Sequence, residues 1–194
     1  MDIRRIKILF NLLGHFFVRG PANKKPDHIN KIVVFQSAGM GDMVCLTPMF
    51  HAIKSFYPEA RLYVVGQAAY RELLAGNSDV DEYISYADNS EEVGSYLRTQ
   101  DIDFGCIPSP SFAGLSALYW GNIKFIASPR VMGGFNPQQT ILYRILSLLT
   151  FKKNIKFNSY MPGEYLKLLE PLGINSSDTR KHLQFSESGL NSVQ

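Results

Sequence analysis

The apolar residues of this chain follow two different patterns along its length. Short runs rich in β-branched residues alternate with segments in which apolar residues recur every three or four positions. The first pattern predicts strands buried on both faces, and the second predicts helices. The predicted strands are residues 31–36, 61–66, 82–86, 103–107 and 124–127. The predicted helices are residues 44–56, 68–74, 90–98, 114–120, 139–151 and 162–172. This alternation predicts an α/β fold with a parallel, doubly wound, Rossmann-like sheet.

Residues 1–20 have a pattern of their own. Apolar residues recur at three- and four-residue spacing, and basic and polar residues fall on the other side. This predicts a basic amphipathic helix, which a polar linker through residue 30 joins to the domain. Three interpretations are open: a helix on an anionic membrane surface, a helix packed on its own domain, and a signal peptide. The last is disfavoured, because Asn11 and His15 interrupt the apolar region and Arg19 follows it.

The composition is that of a globular domain with one buried core. The chain has 194 residues, of which 45% are hydrophobic and 19% are charged. No apolar run reaches the roughly 20 residues that a membrane-spanning helix requires. Cys45 and Cys106 each lie within an apolar segment and lack metal-ligand spacing. We therefore expect two buried thiols in a reducing compartment.

The charges are distributed unevenly. Residues 1–31 carry seven basic and two acidic side chains, residues 32–121 carry four and eleven, and residues 122–194 carry nine and four. An acidic middle between two basic ends favours anionic partners at the ends. It argues against a nucleic-acid-binding protein, because no segment interleaves a basic stripe with aromatic residues.

The loop after the first predicted strand, residues 37–42, is the first candidate for chemistry, because ligands of such sheets bind at the carboxyl ends of the strands. Gly39 and Gly41 predict a tight turn and a close approach of the backbone to an anionic ligand at a helix N-terminus. A Walker loop would need Gly-Lys-Ser/Thr, and a dinucleotide fingerprint would need Gly or Ala in place of Val44. Nucleotide-triphosphate and NAD or FAD binding by these motifs are therefore disfavoured.

Asp42 has two interpretations. A carboxylate at the start of a helix is favoured as an N-terminal cap and by the helix dipole. At the ligand end of a sheet, it can also act as a general base toward an attacking hydroxyl.

Several segments together resemble glycosyltransferase family 9, the heptosyltransferases of lipopolysaccharide core assembly. The resemblance covers about residues 31–174. The segments that carry it are Lys31-Ile-Val-Val-Phe-Gln-Ser-Ala-Gly-Met-Gly-Asp42, Leu46-Thr47-Pro48, Ala52-Ile53-Lys54, Tyr57-Pro58-Glu59-Ala60, Asn77-Ser78-Asp79-Val80-Asp81-Glu82, Glu164-Tyr165-Leu166-Lys167-Leu168-Leu169 and Leu172-Gly173-Ile174.

The resemblance implies the N-terminal, acceptor-side lobe of a two-lobed GT-B enzyme. Such an enzyme transfers a sugar from a nucleotide-diphosphate donor to a glycolipid acceptor, inverts the anomeric centre, and uses neither a metal ion nor another cofactor. The aspartate that matches Asp42 is the family's proposed general base. Residues of the same loop would shape the acceptor site, namely Ser37, Gly39, Met40 and Gly41.

The resemblance also implies a domain organisation and a location. We expect residues 1–30 to be the amphipathic helix and linker, 31–185 the acceptor lobe, and 186–194 a frayed tail. The donor lobe is absent from this sequence, so we expect no sugar transfer by the isolated chain. The expected location is the cytoplasmic face of a Gram-negative inner membrane, with residues 1–20 near anionic lipid.

A rival interpretation is a non-catalytic Rossmann-like module that binds a glycolipid or a partner and uses Asp42 as a cap.

The later segments offer weaker candidates. Residues 129–139 are predicted to form a loop over the acceptor side. The basic residues of the later segments are candidates for acceptor phosphates, namely Lys124, Arg130, Lys152, Lys153 and Lys156. The four histidines show no metal-ligand spacing, so the sequence predicts no metal site.

Overall fold

A computed structural model describes residues 21–134, 136–156 and 158–183, which form one α/β domain. The strands are β1 (Lys31–Gln36), β2 (Arg61–Gly66), β3 (Glu82–Ser85), β4 (Phe104–Cys106), β5 (Ile126–Met132) and β6 (Phe151–Lys156). The helices are α1 (Met40–Phe56), α2 (Arg71–Leu74), α3 (Ser90–Gln100), α4 (Phe112–Trp120), α5 (Ile141–Ser147) and α6 (Met161–Leu166). Two 3-10 segments adjoin α2 and α6, at Ala68–Tyr70 and Lys167–Leu172.

The six strands make one parallel sheet in the order β3-β2-β1-β4-β5-β6. This order confirms the predicted doubly wound, Rossmann-like fold. β1 lies at its centre, where Ile32 pairs with Leu62 of β2 on one side and Phe104 of β4 on the other. Its β-branched residues are fully buried, as a strand with helices on both faces requires.

Helices cover both faces of the sheet and divide the core into two layers. Ile32 and Val34 of β1 point toward α1, α6 and the 3-10 segment that follows α6. Val33 and Phe35 point to the other face, where α3, α4 and α5 pack. The period of two in a strand therefore distributes one apolar run between two cores.

Pro48 in the interior of α1 removes one backbone hydrogen bond of the helix, and a neighbouring hydroxyl replaces it. Pro48 has no N–H to offer the carbonyl of Val44, four residues earlier. The hydroxyl of the neighbouring Thr47 donates to that carbonyl at 2.9 Å. The Thr-Pro pair thus continues the helix through its buried middle.

The structure corrects three predicted elements. Residues 151–156 form β6, an edge strand that the sequence analysis did not predict, and α5 ends at Ser147 rather than continuing to Phe151. β5 extends to Met132, so part of the predicted 129–139 loop is strand. The cap of α3 is Asn89, whose side chain accepts from Glu92 N, instead of Ser90. Of the two cysteines, Cys106 is buried as predicted and Cys45 is half-buried.

The segment that precedes β1 contacts the residues directly before β5 and β6. Ala22, in the predicted linker, is buried and forms a bridge with Thr150, and Asn23 bridges to Phe125. The predicted helix over residues 1–20 and the predicted tail at 186–194 lie outside the described residues. Within the described ranges, no helix is long and apolar enough to cross a membrane.

α5 leaves a row of apolar side chains in contact with solvent beside this entry point. Ile141 and Leu148 are 74% and 65% exposed, and Ile145 lies between them at 39%. Their spacing of four and three residues places them on one side of the helix. We call these three residues the α5 stripe.

Candidate functional site

The candidate site lies where the sheet changes the direction of its connections. The chain leaves β1 toward one neighbour, β2, and returns to the other side of β1 as β4. The loops after β1 and β4 therefore diverge and leave a crevice at the carboxyl ends of these strands.

A cavity of about 360 Å³ occupies this crevice. Its walls come from the β1 loop, the β4 loop, the segment after β5, the end of β6 and the start of α6. The lining residues are Ala38, Asp42, Pro108, Ser109, Pro110, Val131, Asn136, Pro137, Gln138, Ile155, Met161 and Tyr165. This mainly apolar wall with a few polar groups is typical of a small-molecule site.

Asp42 is the single carboxylate among these lining residues. It is the third residue of α1, and the N-cap position belongs to Gly39. Asp42 is therefore not the N-cap residue, and of its structural interpretation only the favourable interaction with the positive end of the helix dipole remains. Its side chain is half-buried and faces the cavity.

The Asp42 carboxylate is held by Tyr165, a buried residue of α6. The hydroxyl of Tyr165 donates to Oδ1 of Asp42 at 2.9 Å. No other hydrogen bond to this carboxylate is found among the described residues, so Oδ2 is available to a ligand. The contact fixes the carboxylate at one oxygen and leaves the other free.

Further polar side chains connect Tyr165 to the end of β1. The hydroxyl of Ser109 lies 3.4 Å from that of Tyr165 and accepts from Gln36 Nε2 at 3.1 Å. Gln36 Oε1 in turn accepts from Ala38 N at 3.1 Å. If the Ser109 hydroxyl donates to Tyr165, the successive hydrogen bonds from Gln36 to Asp42 are all donated in the direction of Asp42. The network therefore ties the two diverging loops together across the crevice.

Burial raises the pKa of Tyr165, and the nearby Asp42 carboxylate raises it further, whereas the hydrogen bond with Ser109 acts against both. A phenol with a raised pKa keeps its proton throughout the physiological range. Tyr165 is therefore a permanent hydrogen-bond donor to Asp42.

The other loop residues that the sequence predicted lie outside the cavity lining. The carbonyl of Ser37 accepts from Gln67 Nε2 at 2.9 Å, and Gly39, Met40 and Gly41 are exposed. The expectation of a glycine-dependent tight turn is wrong. Gly39 has φ −62°, which any residue adopts, and Gly41 is helical.

Sequence reasoning missed several residues of the site, above all Gln36, Ser109 and Tyr165. Gln36 and Tyr165 lie within the segments that carry the family resemblance, but only the strand order shows that they share one network. Part of the segment that was predicted as a loop over the acceptor side borders the cavity, namely Asn136, Pro137 and Gln138.

None of the five basic candidates is among the residues that line the cavity. Lys156 ends β6 directly after the lining residue Ile155 and is exposed. Lys153 instead forms an ion pair with Glu170. Lysines on an exposed edge strand also protect it from pairing with another chain. Arg130 likewise precedes the lining residue Val131, but successive side chains of a strand point to opposite faces, so adjacency places neither basic side chain in the cavity.

Comparison with known structures finds the same fold in parts of several glycosyltransferases. A glycosyltransferase family 9 structure from Veillonella parvula aligns with a TM-score of 0.66 and 17% identity, over 86% of this chain and 48% of that one. E. coli ADP-heptose LPS heptosyltransferase II aligns with a TM-score of 0.61 and 19% identity, over 81% and 47%. E. coli heptosyltransferase WaaC with ADP-2-deoxy-2-fluoro heptose gives 0.60 and 12%, over 78% and 51%.

No family model matches this chain, and no curated protein sequence matches it. The chain spans about half the length of the solved structures that it matches. The structural neighbours confirm the fold that the sequence resemblance implied: the described residues have the Rossmann-like fold found in about half of each of these glycosyltransferase structures.

Proposed function

We propose that this chain is the acceptor-binding lobe of an inverting glycosyltransferase and that Asp42 is its general base. The position of Asp42 carries the proposal. Its carboxylate lies at the strand switch point, faces a cavity of about 360 Å³, and is fixed by Tyr165 at one oxygen only. Ligands of open α/β sheets bind at this place.

In the proposed reaction, an acceptor hydroxyl occupies the cavity and donates a hydrogen bond to Oδ2 of Asp42. The hydroxyl oxygen bonds to the anomeric carbon of the donor sugar while the bond from that carbon to the nucleotide diphosphate breaks. The hydroxyl proton passes to Asp42. Attack on the face opposite the leaving group inverts the anomeric centre, through a transition state with oxocarbenium character.

The donor is proposed to be a nucleotide-diphosphate sugar, and ADP-heptose is the first to test. Two E. coli neighbours are named as complexes with ADP and with an ADP-heptose analogue. This donor would be held mainly by a second lobe that these residues do not include. The 194-residue chain alone would then bind acceptor without transferring sugar, and the step itself would use no metal ion.

The acceptor is proposed to be an envelope glycolipid at the cytoplasmic face of a Gram-negative inner membrane. The α5 stripe and the chain entry at Ala22 lie on the same part of the domain. The basic amphipathic residues 1–20 therefore connect beside an exposed apolar row, and the two together suit a membrane surface.

The rival interpretation, a non-catalytic module, explained Asp42 as a helix cap. Because Gly39 holds that position, capping does not account for this carboxylate, and the module interpretation retains only the favourable helix dipole. The contact with Tyr165 is the arrangement expected of a base that must be held in one orientation.

A transfer assay tests the proposal. The protein is purified from its host together with the lobe or partner chain that binds the donor, and is assayed with ADP-heptose and a heptose-deficient lipopolysaccharide. We expect Asp42→Asn to lower kcat by about 10² to 10⁴, the range for loss of a general base, and to leave KM nearly unchanged. Asp27→Asn, at an exposed carboxylate, is the matched control. Equal kcat for Asp42→Asn and the control would refute the assigned base.

A further inference from the structure

Three side chains from separate parts of the chain meet beside α1, away from the Asp42 cavity. His51 lies on α1, Asp79 in the loop after α2, and His182 in the segment after the last 3-10 turn. One ligand atom from each lies within 4.8 Å of the other two. His51 Nδ1 is 3.2 Å from Asp79 Oδ2, and the two imidazole rings stack with centroids 4.0 Å apart.

Buried polar residues fix two of these three groups through the backbone. Asn77 Oδ1 accepts from Asp79 N at 2.9 Å, and Asn77 Nδ2 donates to the carbonyl of His182 at 3.0 Å. Thr47 Oγ1 accepts from His182 N at 3.0 Å. Supporting contacts of this kind orient the ligands in metal sites. The convergence is therefore built into the fold rather than produced by free surface side chains.

His182 also carries a polar atom that the fold leaves unsatisfied. Its Nε2 is buried, and no hydrogen-bond partner for it is found among the described residues. Buried polar side-chain atoms nearly always have a partner. A neutral imidazole nitrogen with a free lone pair is a common metal ligand.

We propose that His51, Asp79 and His182 bind a divalent transition-metal ion, with Zn²⁺ the best match. Two imidazoles and one carboxylate are a ligand set for zinc and related metals, whereas Mg²⁺ and Ca²⁺ prefer oxygen alone. Neighbouring ligands of a tetrahedral zinc ion are about 3.4 Å apart. The distance of 3.2 Å between Asp79 Oδ2 and His51 Nδ1 is close to this value. Rotation of the two imidazole rings out of their stack would bring a His182 nitrogen to a similar distance from both atoms.

The ion would act as a structural clamp. It would join residues 175–183 to α1 at a position nine residues beyond Asp42, which is about 13 Å along the helix axis. The site is thus separate from the proposed base and takes no part in the transfer step. Water would complete the coordination, and the hydroxyl of Ser55, 3.5 Å from His51 Nε2, would orient the ring through the nitrogen that does not bind the ion.

Metal titration tests the site. The purified 194-residue chain is stripped with chelator and titrated with ZnCl₂ by calorimetry. We expect one tightly bound ion, and an affinity at least about tenfold lower for His182→Ala and for Asp79→Asn. His28→Ala, at an exposed histidine outside the group, should bind like the parent. A parent chain that binds no ion, or a His182→Ala variant with unchanged affinity, would overturn the site.

Trypsin digestion tests the clamp by an independent measurement. Arg180 and Lys181 provide cleavage sites directly before His182. Saturating Zn²⁺ should slow cleavage there in the parent chain and should have no effect in His182→Ala, whose fold is checked by circular dichroism. Equal cleavage of the parent with and without bound Zn²⁺ would refute the clamp. Neither result depends on glycosyl transfer, so this inference and the proposed function are tested separately.

Discussion

The hydroxyl of Tyr165 donates a 2.9 Å hydrogen bond to Asp42 Oδ1, across 123 positions of sequence. Asp42 lies in the first turn of α1, and Tyr165 lies on α6, the last α-helix among the described residues. The candidate base is therefore oriented by a residue from the opposite end of the fold.

Removing this hydroxyl should destabilise the domain measurably. We expect Tyr165→Phe to lower the free energy of unfolding by about 1.5 kcal/mol, near the lower end for a hydrogen bond to a charged group, because water reaches Asp42. The measurement is urea denaturation. In a double-mutant cycle, Tyr165→Phe should couple to Asp42→Asn. The control is Tyr143→Phe, whose hydroxyl bonds to the Pro129 carbonyl instead and should show no coupling.

Glu164 should make the stability of the domain depend on acid pH. Burial acts to raise its pKa, but hydrogen bonds from Lys167 Nζ at 2.7 Å and Lys156 N at 2.9 Å outweigh burial, and the pKa lies below the ordinary 4.5. A lowered folded-state pKa gives stability that is present above about pH 4.5 and is lost as the pH falls through the folded-state value.

We therefore expect the Tm of the parent chain to fall more steeply than that of Glu164→Gln as the pH drops below about 4.5. The matched control is Glu170→Gln, at an exposed carboxylate paired with Lys153. Parallel Tm curves for the parent and Glu164→Gln would show that this carboxylate does not contribute.

Two helical glycines should respond in opposite directions to alanine. A Cβ at Gly94 of α3 would lie 2.3 Å from Trp120 Cβ and 2.7 Å from the Ala117 carbonyl oxygen of α4. Overpacking of this kind costs about 1 to 3 kcal/mol, which exceeds the gain of about 1 kcal/mol in helix propensity. We expect Gly94→Ala to lower the free energy of unfolding.

At Gly41, in the first turn of α1, a Cβ would meet nothing within 4 Å. Gly41→Ala should therefore raise the free energy of unfolding, by up to about 1 kcal/mol. If Gly41 also borders the acceptor site, the same variant should bind acceptor glycan more weakly in an NMR titration. A more stable variant with unchanged acceptor binding would remove Gly41 from the site.

Membrane binding should require both residues 1–20 and the α5 stripe. We expect the chain to bind anionic vesicles and to lose this binding as salt is raised. Deletion of residues 1–20 should abolish it, and Leu148→Ser should weaken it, because Leu148 is 65% exposed. Sedimentation with phosphatidylglycerol vesicles measures both effects, and neutral vesicles provide the control. Equal binding by the truncated chain would contradict the prediction.

The sequence predicted the limits of a secondary-structure element where burial follows a regular pattern along that element. β1 and β2 are buried on both faces, so their apolar runs predicted their limits correctly. β6 was missed because it is an edge strand in which Ile155 is the one buried residue, and its lysines conceal the pattern. The apolar residues that extended the predicted helix toward Phe151 belong in part to the exposed α5 stripe.

The candidate site could be predicted only in part, for a related reason. Asp42 was found because its loop follows a predicted strand. Ser109 and Tyr165 join it because β4 returns beside β1 and α6 packs over the same end, and periodicity carries no information on strand order. The His51, Asp79 and His182 group was missed because its members are far apart in sequence.

The central position of β1 in the sheet also affects how the domain folds during synthesis. The backbone N–H of Lys31 donates a hydrogen bond to Asp103 Oδ2, 72 positions later in the chain. The middle of the sheet therefore cannot form until more than half of the chain has been synthesised. Non-local pairing of this kind slows folding and leaves strand edges open to other chains in the meantime. On the ribosome, β1 to β3 would emerge as an unfinished sheet in which β1 is an open edge in addition to β3. We therefore expect the nascent chain to depend on chaperones until β4 is released.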